Sequence, residues 1–383
     1  MTLLDTYVQA AAASHRHLAS LIVEALRLRL SQTRLGLSEY IDFQLYKTDI
    51  PWDAKAKFGG LRTQDALDEM LVDDYSRFLS LDKVTMYALL SGLGFPIPKV
   101  RATYRSIRPS CITQLHSPEQ LEEFIATPGN LPIYVKRSFG GFGRGNVLIA
   151  AFDGTNIVLG NGARESAGDF CASLDDARSL GWILQEPLTS HPDIETVTGH
   201  GKISGLRVHT FLGLREAKVI KAIFKINAGL RDIDNFDHGN SGNMLAAVDV
   251  QSGTIVRAVS GVGVRQVELP IHPTTQAPLL GFKIPGWSEV VSLVTDAHEA
   301  FQGFLCPAWD IAICADGPKI LEVNAIGDLD LPQHAYRGGF IDDDFIACLR
   351  ERNLDHLLFS RTRSHARSAM NHRIGIKKHH WPW

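Results

Sequence analysis

The chain has 383 residues, 45% of them hydrophobic and 21% charged, with a formal net charge of -3. That length allows two or three domains with large cores, and the near-neutral balance excludes a disordered chain and gives no overall pull toward nucleic acid. Five widely spaced cysteines without a Cys-x-x-Cys pair, no signal-peptide pattern and no apolar run of the roughly 18 residues that span a membrane make a reducing cytoplasm the expected location.

From Ser14, a favourable N-cap, the spacing of Leu18, Leu21, Ile22, Ala25, Leu26 and Leu30 predicts one helix running to about residue 33. Arg16, Arg27, Arg29 and Arg34 decorate it; a basic amphipathic helix can lie on a membrane surface, but packing on its own domain is the commoner use. Residues 35–60 read as aromatic and irregular. A second helix is expected over about 63–79, with Asp65, Asp68, Glu69, Asp73 and Asp74 on its solvated side, so the first 80 residues are mainly helical. Residues 82–90 open a further helix that Gly92 and Gly94 stop, and Pro96 and Pro98 lead into an extended segment. Ser117-Pro118-Glu119-Gln120 is a capping box that starts a helix ending near Thr127.

Strand, glycine loop and strand follow. Residues 132–137 are extended, Ser138, Phe139, Gly140, Gly141, Phe142, Gly143, Arg144 and Gly145 form the loop, and residues 146–152 return as an apolar strand. A Rossmann fingerprint or a Walker loop must lead into a helix, so the strand after this loop argues against both. A glycine-rich hairpin can instead close over a nucleotide as a flap whose N–H groups approach phosphate, with Lys136 adding a point charge. The plainer alternative is a surface hairpin with an ordinary lysine.

A helix is expected over 173–180, then a short apolar strand whose polar end, Gln185-Glu186, suits an adenine edge. Strands follow over 203–212, with Arg207 inside, 218–226, 244–250 and 254–259. The polar loop over 231–243, which carries Asn235 and His238, is too long for a simple turn, and loops of that kind are disproportionately functional. A helix over 287–304 leads to the most informative stretch, residues 309–324. It reads as a hairpin closed by the three-residue loop Ala315-Asp316-Gly317, with Cys314 facing Pro318. That register sets Asp310 opposite Glu322 and puts Asn324 on the same face. Adjacent carboxylates repel unless a cation neutralises them, so this face reads as a hard-metal site, Mg²⁺ first and Mn²⁺ as an alternative. A solvated surface hairpin is the other reading, and a two- or four-residue loop would set the two carboxylates on opposite faces. Residues 325–339 form another expected loop, with His334 and Arg337 able to touch substrate, and residues 361–383 a basic, flexible tail.

With Lys83, Lys136, the glycine flap, Gln185-Glu186-Pro187-Leu188, Arg207 and Asp310 with Glu322-x-Asn324 in this order, the chain resembles the ATP-grasp superfamily. Gly36-Leu37-Ser38-Glu39-Tyr40 and Asp234-Asn235-Phe236 are similar to the sugar-transfer-associated group within it. The resemblance implies an α+β fold in which two α+β lobes clamp ATP: residues 81–185 with the flap and 186–360 with the metal site, after the helical region 1–80. It implies that Lys83, Lys136, Ser138, Gly140, Gly141, Phe142 and Gly143 contact phosphates, that Gln185, Glu186 and Leu188 line the adenine, and that Asp193 meets the ribose. Asp310, Glu322 and Asn324 then hold Mg²⁺; Arg207, with Asn235 and Lys136, serves catalysis, and His238, His334 and Arg337 line the substrate pocket. The implied activity joins a small-molecule carboxylate to an amine through an acyl phosphate, in the assembly of a cell-surface glycan or a secondary metabolite. A kinase on the same site and a nucleotide-binding protein without turnover are the alternatives. Two departures stand out: the N-terminal region is helical where many relatives carry a Rossmann-like domain, and Gln185 stands where an acidic residue is frequent.

Overall fold

Two successive sets of alternating apolar strands fold into two seven-stranded sheets. The computed structural model describes residues 2–106, 112–140, 146–175, 180–199, 203–228 and 234–358. The first sheet holds β1 (Val100–Tyr104), β2 (Thr113–Leu115), β3 (Ile133–Arg137), β4 (Val147–Phe152), β5 (Asn156–Leu159), β6 (Arg164–Ser166) and β7 (Trp182–Gln185), in the order β2-β1-β7-β3-β4-β5-β6. The second holds β8 (Gly205–Leu212), β9 (Ala217–Ile226), β10 (Met244–Val248), β11 (Ile255–Ser260), β12 (Val267–Glu268), β13 (Ala308–Cys314) and β14 (Gly317–Asn324), in the order β12-β11-β10-β9-β8-β13-β14. Every pairing is antiparallel except that of β1 with β2.

The period of two sorts side chains between faces. In the first sheet Ile133, Val135 and Leu184 pack under the helices Pro118–Ala126 and Ala167–Ser173, through Leu121, Ile125 and Phe170. Tyr134, Lys136, Ile183 and Gln185 therefore take the other face, where Ile183 joins the core of the second sheet. In that sheet Leu206, Val208, Phe224 and Ile311 bury against Val290, Val294 and Ala297 of the helix Trp287–Ala300. Each such side chain contributes about 1.5–3 kcal/mol of burial, so the apolar face settles which side meets the helix. Arg207, Lys225, Asp310, Glu322 and Asn324 are left on the opposite face, beside a small apolar patch of Ile223, Leu245 and Val259 under Phe236 and Leu331.

Several expected elements differ. The helix expected to start at Ser14 starts at Leu18 and runs to Arg29, and a separate helix, Leu3–Ser14, precedes it and ends at His15, which turns left-handed (φ 52°). Ser14 donates its hydroxyl back to the carbonyl of Ala10 at 2.6 Å and so ends a helix instead of starting one. The buried stripe of the second helix is Leu21, Ala25 and Leu28, while Ile22, Leu26 and Leu30 face solvent. The irregular stretch 35–60 contains the short helices Leu37–Asp42 and Trp52–Lys55. The helix expected over 63–79 breaks into Leu61–Leu71 and Asp74–Leu81, since Asp73 is no solvated carboxylate: it is buried and caps the second piece. A helix capped by Ser166 occupies Ala167–Ser173, residues 176–179 of the helix expected over 173–180 lie outside the described residues, and the helix expected to reach residue 304 ends at Ala300. Residues 325–339 contain the helix Asp330–Tyr336. The tail 361–383 lies outside the described residues.

Asp73 accepts from the Ser76 amide and the Ser76 hydroxyl, both at 2.8 Å. Asp73→Ala should therefore cost about 1 kcal/mol of unfolding free energy, the usual worth of an N-cap, and urea denaturation would read it. An unchanged midpoint would mean that packing alone holds the break between these helices.

Candidate active site

The hairpin of β13 and β14 closes with two residues, not three: Cys314 pairs with Gly317, and Ala315-Asp316 form the turn. Taken alone, that turn would flip Glu322 away from Asp310. A bulge at Leu321 restores the parity, so that Ile311 faces Ile320 but Asp310 faces Glu322 and Ala308 faces Asn324. Leu321 is held there by Tyr87, whose hydroxyl donates to its carbonyl at 2.6 Å.

Directly opposed residues sit about 5 Å apart at Cβ, where two carboxylates repel by roughly 3 kcal/mol at an effective dielectric constant near 20. The surrounding cations outweigh that repulsion. Arg207, opposite Asp310 on β8, clamps it through Nε to Oδ1 at 2.8 Å and through its terminal nitrogen to Oδ2 at 3.0 Å. Lys225 on β9 adds a third bond to Oδ2 at 3.1 Å and lies 3.3 Å from Asp234, while Arg207 reaches Asp328 at 3.2 Å. Burial works against the Asp310 charge, yet Arg207 and Lys225 hold the carboxyl well below the usual carboxylate range. For Arg207 and Lys225 burial likewise favours the neutral form, but their acidic partners win and both are raised. Asp234 is raised, burial exceeding the pull of Lys225.

Lys83 ties this face to the first sheet. Its ammonium lies 3.3 Å from Glu322 and donates to the Gly140 carbonyl, and its amide donates to the Ser138 carbonyl at 2.9 Å. The flap strands β3 and β4 pair antiparallel, as a hairpin demands, and Gly140 has a positive φ of 92° that glycine accommodates freely. Gly141, Phe142 and Gly143 lie outside the described residues. Lys136, buried, donates to the Tyr87 hydroxyl above whose ring it sits. Burial, together with the charge of Lys83, pulls its pKa down to about 7, against the pull of Glu322.

The remaining candidates divide. Gln185 is 4% exposed and its Oε1 has no hydrogen-bond partner among the described residues, an orphan that a ligand donor would satisfy. Glu186 is turned to Arg101 at 2.8 Å and Lys99 at 3.3 Å; Leu188 is half-buried. Asp193 lies exposed in the first turn of Pro192–Thr198. Asn235 shapes its own loop, accepting from the Asp237 amide at 3.2 Å. His238 is exposed beside Asp330. His334 is buried between Phe43 and Phe236, with Gln266 at 2.8 Å, and Arg337 pairs with Asp49 of the N-terminal region at 2.6 Å; both hold the helix Asp330–Tyr336 in place. Lys225, Tyr87, Asp234 and Asp328 were not singled out by residue type. Lys225 carried a signal, a lone charge within Ala222-Ile223-Phe224-Lys225-Ile226, whereas the roles of Tyr87 and Asp328 depend on tertiary contacts.

The donor set suits a hard cation. Among the described residues Asp310 keeps a lone pair on Oδ1 beyond its bonds to Arg207 and Lys225, Glu322 is engaged through Oε2 alone, and Asn324 uses only its amide nitrogen, toward Ala308 at 3.4 Å. With two carboxylates it is no cluster of three His, Cys, Asp or Glu ligands, and none of that kind is found among the described residues. Around it Lys83, Lys136, Arg207 and Lys225 make a cationic rim fit for phosphate.

The family model described as sugar-transfer associated ATP-grasp matches residues 69–343. Among solved structures, the chain is similar to the ATP-grasp ligase PsnB complexed with minimal precursor, at 16% identity and a TM-score of 0.37, over 71% of this chain and 60% of that one. It is also similar to D-alanine–D-alanine ligase from Bacillus anthracis, at 12% identity and a TM-score of 0.39 over 80% and 76% of the two chains. N5-carboxyaminoimidazole ribonucleotide synthetase from Thermotoga maritima gives 11% and 0.36 over 67% and 44%. The chain thus spans less than two thirds of the length of PsnB. Comparison with curated proteins finds no match.

Two measurements test this site. With Lys136 titrating near 7 in the free protein, a polyphosphate that favours its charged form is bound with proton uptake. Affinity for ATP should be full below pH 7 and fall as pH rises through that value, by up to about tenfold per unit, until the raised pKa of the complex is reached. Calorimetry at several pH values would show this slope, and its persistence in Lys136→Met would assign the proton elsewhere. Lys225→Met leaves Asp310 and Asp234 short of a cation; a loss of about 2–3 kcal/mol in urea denaturation is expected, and none at all would mean that Arg207 alone suffices.

Proposed function

We propose that this chain, which belongs to the sugar-transfer associated ATP-grasp family, is an ATP-dependent ligase joining a carboxylate to an amine. The observation that carries the reading is the polar face of the second sheet, where Asp310, Glu322 and Asn324 share one face inside a rim of Arg207, Lys225, Lys83 and Lys136. Phosphoryl transfer asks for position and charge neutralisation more than for a covalent nucleophile, and this face offers both.

In this reading Gln185 meets the adenine edge and Asp193 the ribose. Lys83, Lys136 and the flap hold the phosphates. Asp310, Glu322 and Asn324 hold Mg²⁺, or Mn²⁺ in its place. The ion, when bound, neutralises phosphate charge. Arg207 is already charged and clamped by Asp310 and Asp328, so little reorganisation is needed as charge develops on the transferred group. A carboxylate oxygen of the first substrate attacks the γ-phosphorus and ADP leaves. The amine then attacks the acyl carbon, forming the C–N bond as phosphate departs with the electron pair of the broken C–O bond. Helix Asp330–Tyr336 and loop 234–243 lie beside Arg207 and bound the space for that acceptor. The role that goes with this reading is in building a cell-surface glycan or a secondary metabolite. Among the described residues no helix is long and apolar enough to cross a membrane.

The test is release of ADP and free phosphate from ATP with Mg²⁺ and panels of carboxylic acids and amines. Release should need both an acid and an amine and fall about 10³-fold or more in Glu322→Ala, while the far-ultraviolet circular dichroism is unchanged. Phosphate transferred to a hydroxyl, with none set free, would make the protein a kinase; full activity in Glu322→Ala would refute the assigned ligand set.

A further inference from the structure

On the loop that faces the helix Asp330–Tyr336, a histidine is held in a strained backbone conformation. His238 belongs to the loop that leaves β9 and enters β10, and its side chain is 78% exposed. Asp237 and His238 both adopt the left-handed conformation, with φ of 47° and 48°. Neither is glycine, so each costs of order 1 kcal/mol, a strain that survives only where the surroundings impose it. They do so here. Phe236 is buried and its carbonyl accepts from the Ser241 hydroxyl at 2.9 Å, Asn243 donates to the Asn235 carbonyl at 2.8 Å, and a Cβ at Gly239 would fall 2.7 Å from the Gly261 backbone. The loop is thus pinned on both sides of an imidazole that it pushes into the open.

The groups facing that imidazole are acidic. Its Nδ1 lies 3.6 Å from Asp330, which opens the helix Asp330–Tyr336, and its charge also acts on Asp42, the last residue of the helix Leu37–Asp42. Burial pushes both carboxyls up to about 6; Asp328 raises Asp330 further and Glu39 raises Asp42, while the His238 charge pulls each of them back. Beyond Asp330, Asp328 is bonded to Arg207. His334 also feels the His238 charge, but burial brings it down to about 3 and leaves it neutral. His238 is therefore an exposed imidazole whose Nδ1 faces Asp330, two residues along the chain from the Asp328 that is bonded to Arg207.

We infer that His238 is the general base for the acceptor amine, with Asp330 and Asp42 as positioning residues that orient its ring. This inference rests on the ligase reading and deepens it. With Nδ1–H turned to Asp330, Nε2 presents its lone pair to the acceptor. As the amine nitrogen bonds to the acyl carbon, its N–H proton passes to Nε2, the C–O bond to phosphate breaks with its electron pair on phosphate, and the imidazolium returns the proton to solvent. The N-terminal helical region is then part of the acceptor site, through Asp42, and not an appendage to the nucleotide-binding lobes.

Hydroxylamine separates this step from the one before it, since it captures an acyl phosphate at neutral pH without help from a base. Wild-type protein and His238→Gln would be given ATP, Mg²⁺ and a panel of carboxylic acids, with either hydroxylamine or a panel of primary amines. Hydroxamate formation should match within about twofold, whereas amine-dependent phosphate release should fall about 10²-fold in the variant, with kcat affected more than the KM for ATP, and free imidazole should restore part of it in His238→Gly. Equal amine-dependent rates in wild type and His238→Gln would overturn the inference and leave the ligase standing. Parallel loss of hydroxamate would make His238 a structural residue, overturning it as well. No hydroxamate from any acid with wild-type protein would instead sink the ligase reading on which the inference rests.

Discussion

A carboxylate buried in the middle of a sheet is the constraint on which the rest of this molecule depends. Asp310 lies within an otherwise apolar strand, and an isolated charge there would be neutralised by its surroundings. It stays ionised because neighbouring strands each supply a cation on its face: Arg207 directly opposite, and Lys225 one strand further on and two residues along. Those cations are buried too, so each needs a second acid, and Asp328 and Asp234 follow from that need. A single buried charge thus recruits residues from β8, β9, β13 and two loops, and the geometry of the face is fixed by mutual neutralisation more than by any one bond.

Much of this was legible in the chain. The strand-loop-strand character of the flap, the second sheet's strands β8 to β11 and the helix from Lys83 followed from periodicity and from glycine and proline punctuation, since those signals are local. The pairing of Asp310 with Glu322 was also legible, but by two errors that cancel. The turn has two residues where three were expected, and the bulge at Leu321 adds back the residue that the turn lacks. A bulge is invisible in alternation because it costs only one unpaired position, and here a tertiary bond from Tyr87 holds it. A helix break escaped for a related reason: Asp73 interrupts a pattern that reads as continuous, and its effect comes from backbone capping instead of hydrophobic spacing.

The N-terminal region could be read as helical but not placed. Its docking runs through bonds between residues hundreds of positions apart: the Gln44 amide donates to the Gly263 carbonyl at 2.7 Å, and Gln333 exchanges bonds with both the amide and the carbonyl of Gly59. Glu39, within the stretch Gly36-Leu37-Ser38-Glu39-Tyr40, accepts from the amides of Gly36 and Leu61 and so locks two turns of the region together. Such side-chain-to-backbone bonds leave no periodic trace in sequence. They also explain why His334 and Arg337, which as residue types suit a substrate pocket, instead support the joint: a histidine stacked among Phe43, Phe236 and Gln266 is a packing element whatever its chemistry could do elsewhere.

The same physics sets stability against use within the site. Lys136 is held where its charge is disfavoured, so below its unfolded pKa near 10.5 the folded state forgoes a proton that the unfolded chain would bind, and that deficit destabilises the fold at neutral pH. The unpaired Oε1 of Gln185 and the left-handed Asp237-His238 pair are costs of the same sort. Lys136 and Gln185 lie on the face of the first sheet opposite its covering helices, while the faces under the helices Pro118–Ala126, Ala167–Ser173 and Trp287–Ala300 are mostly apolar. The helices on the outside supply the stability that lets the inner surfaces carry unsatisfied groups, and a bound anion with its counter-ion is the kind of partner that would satisfy them together.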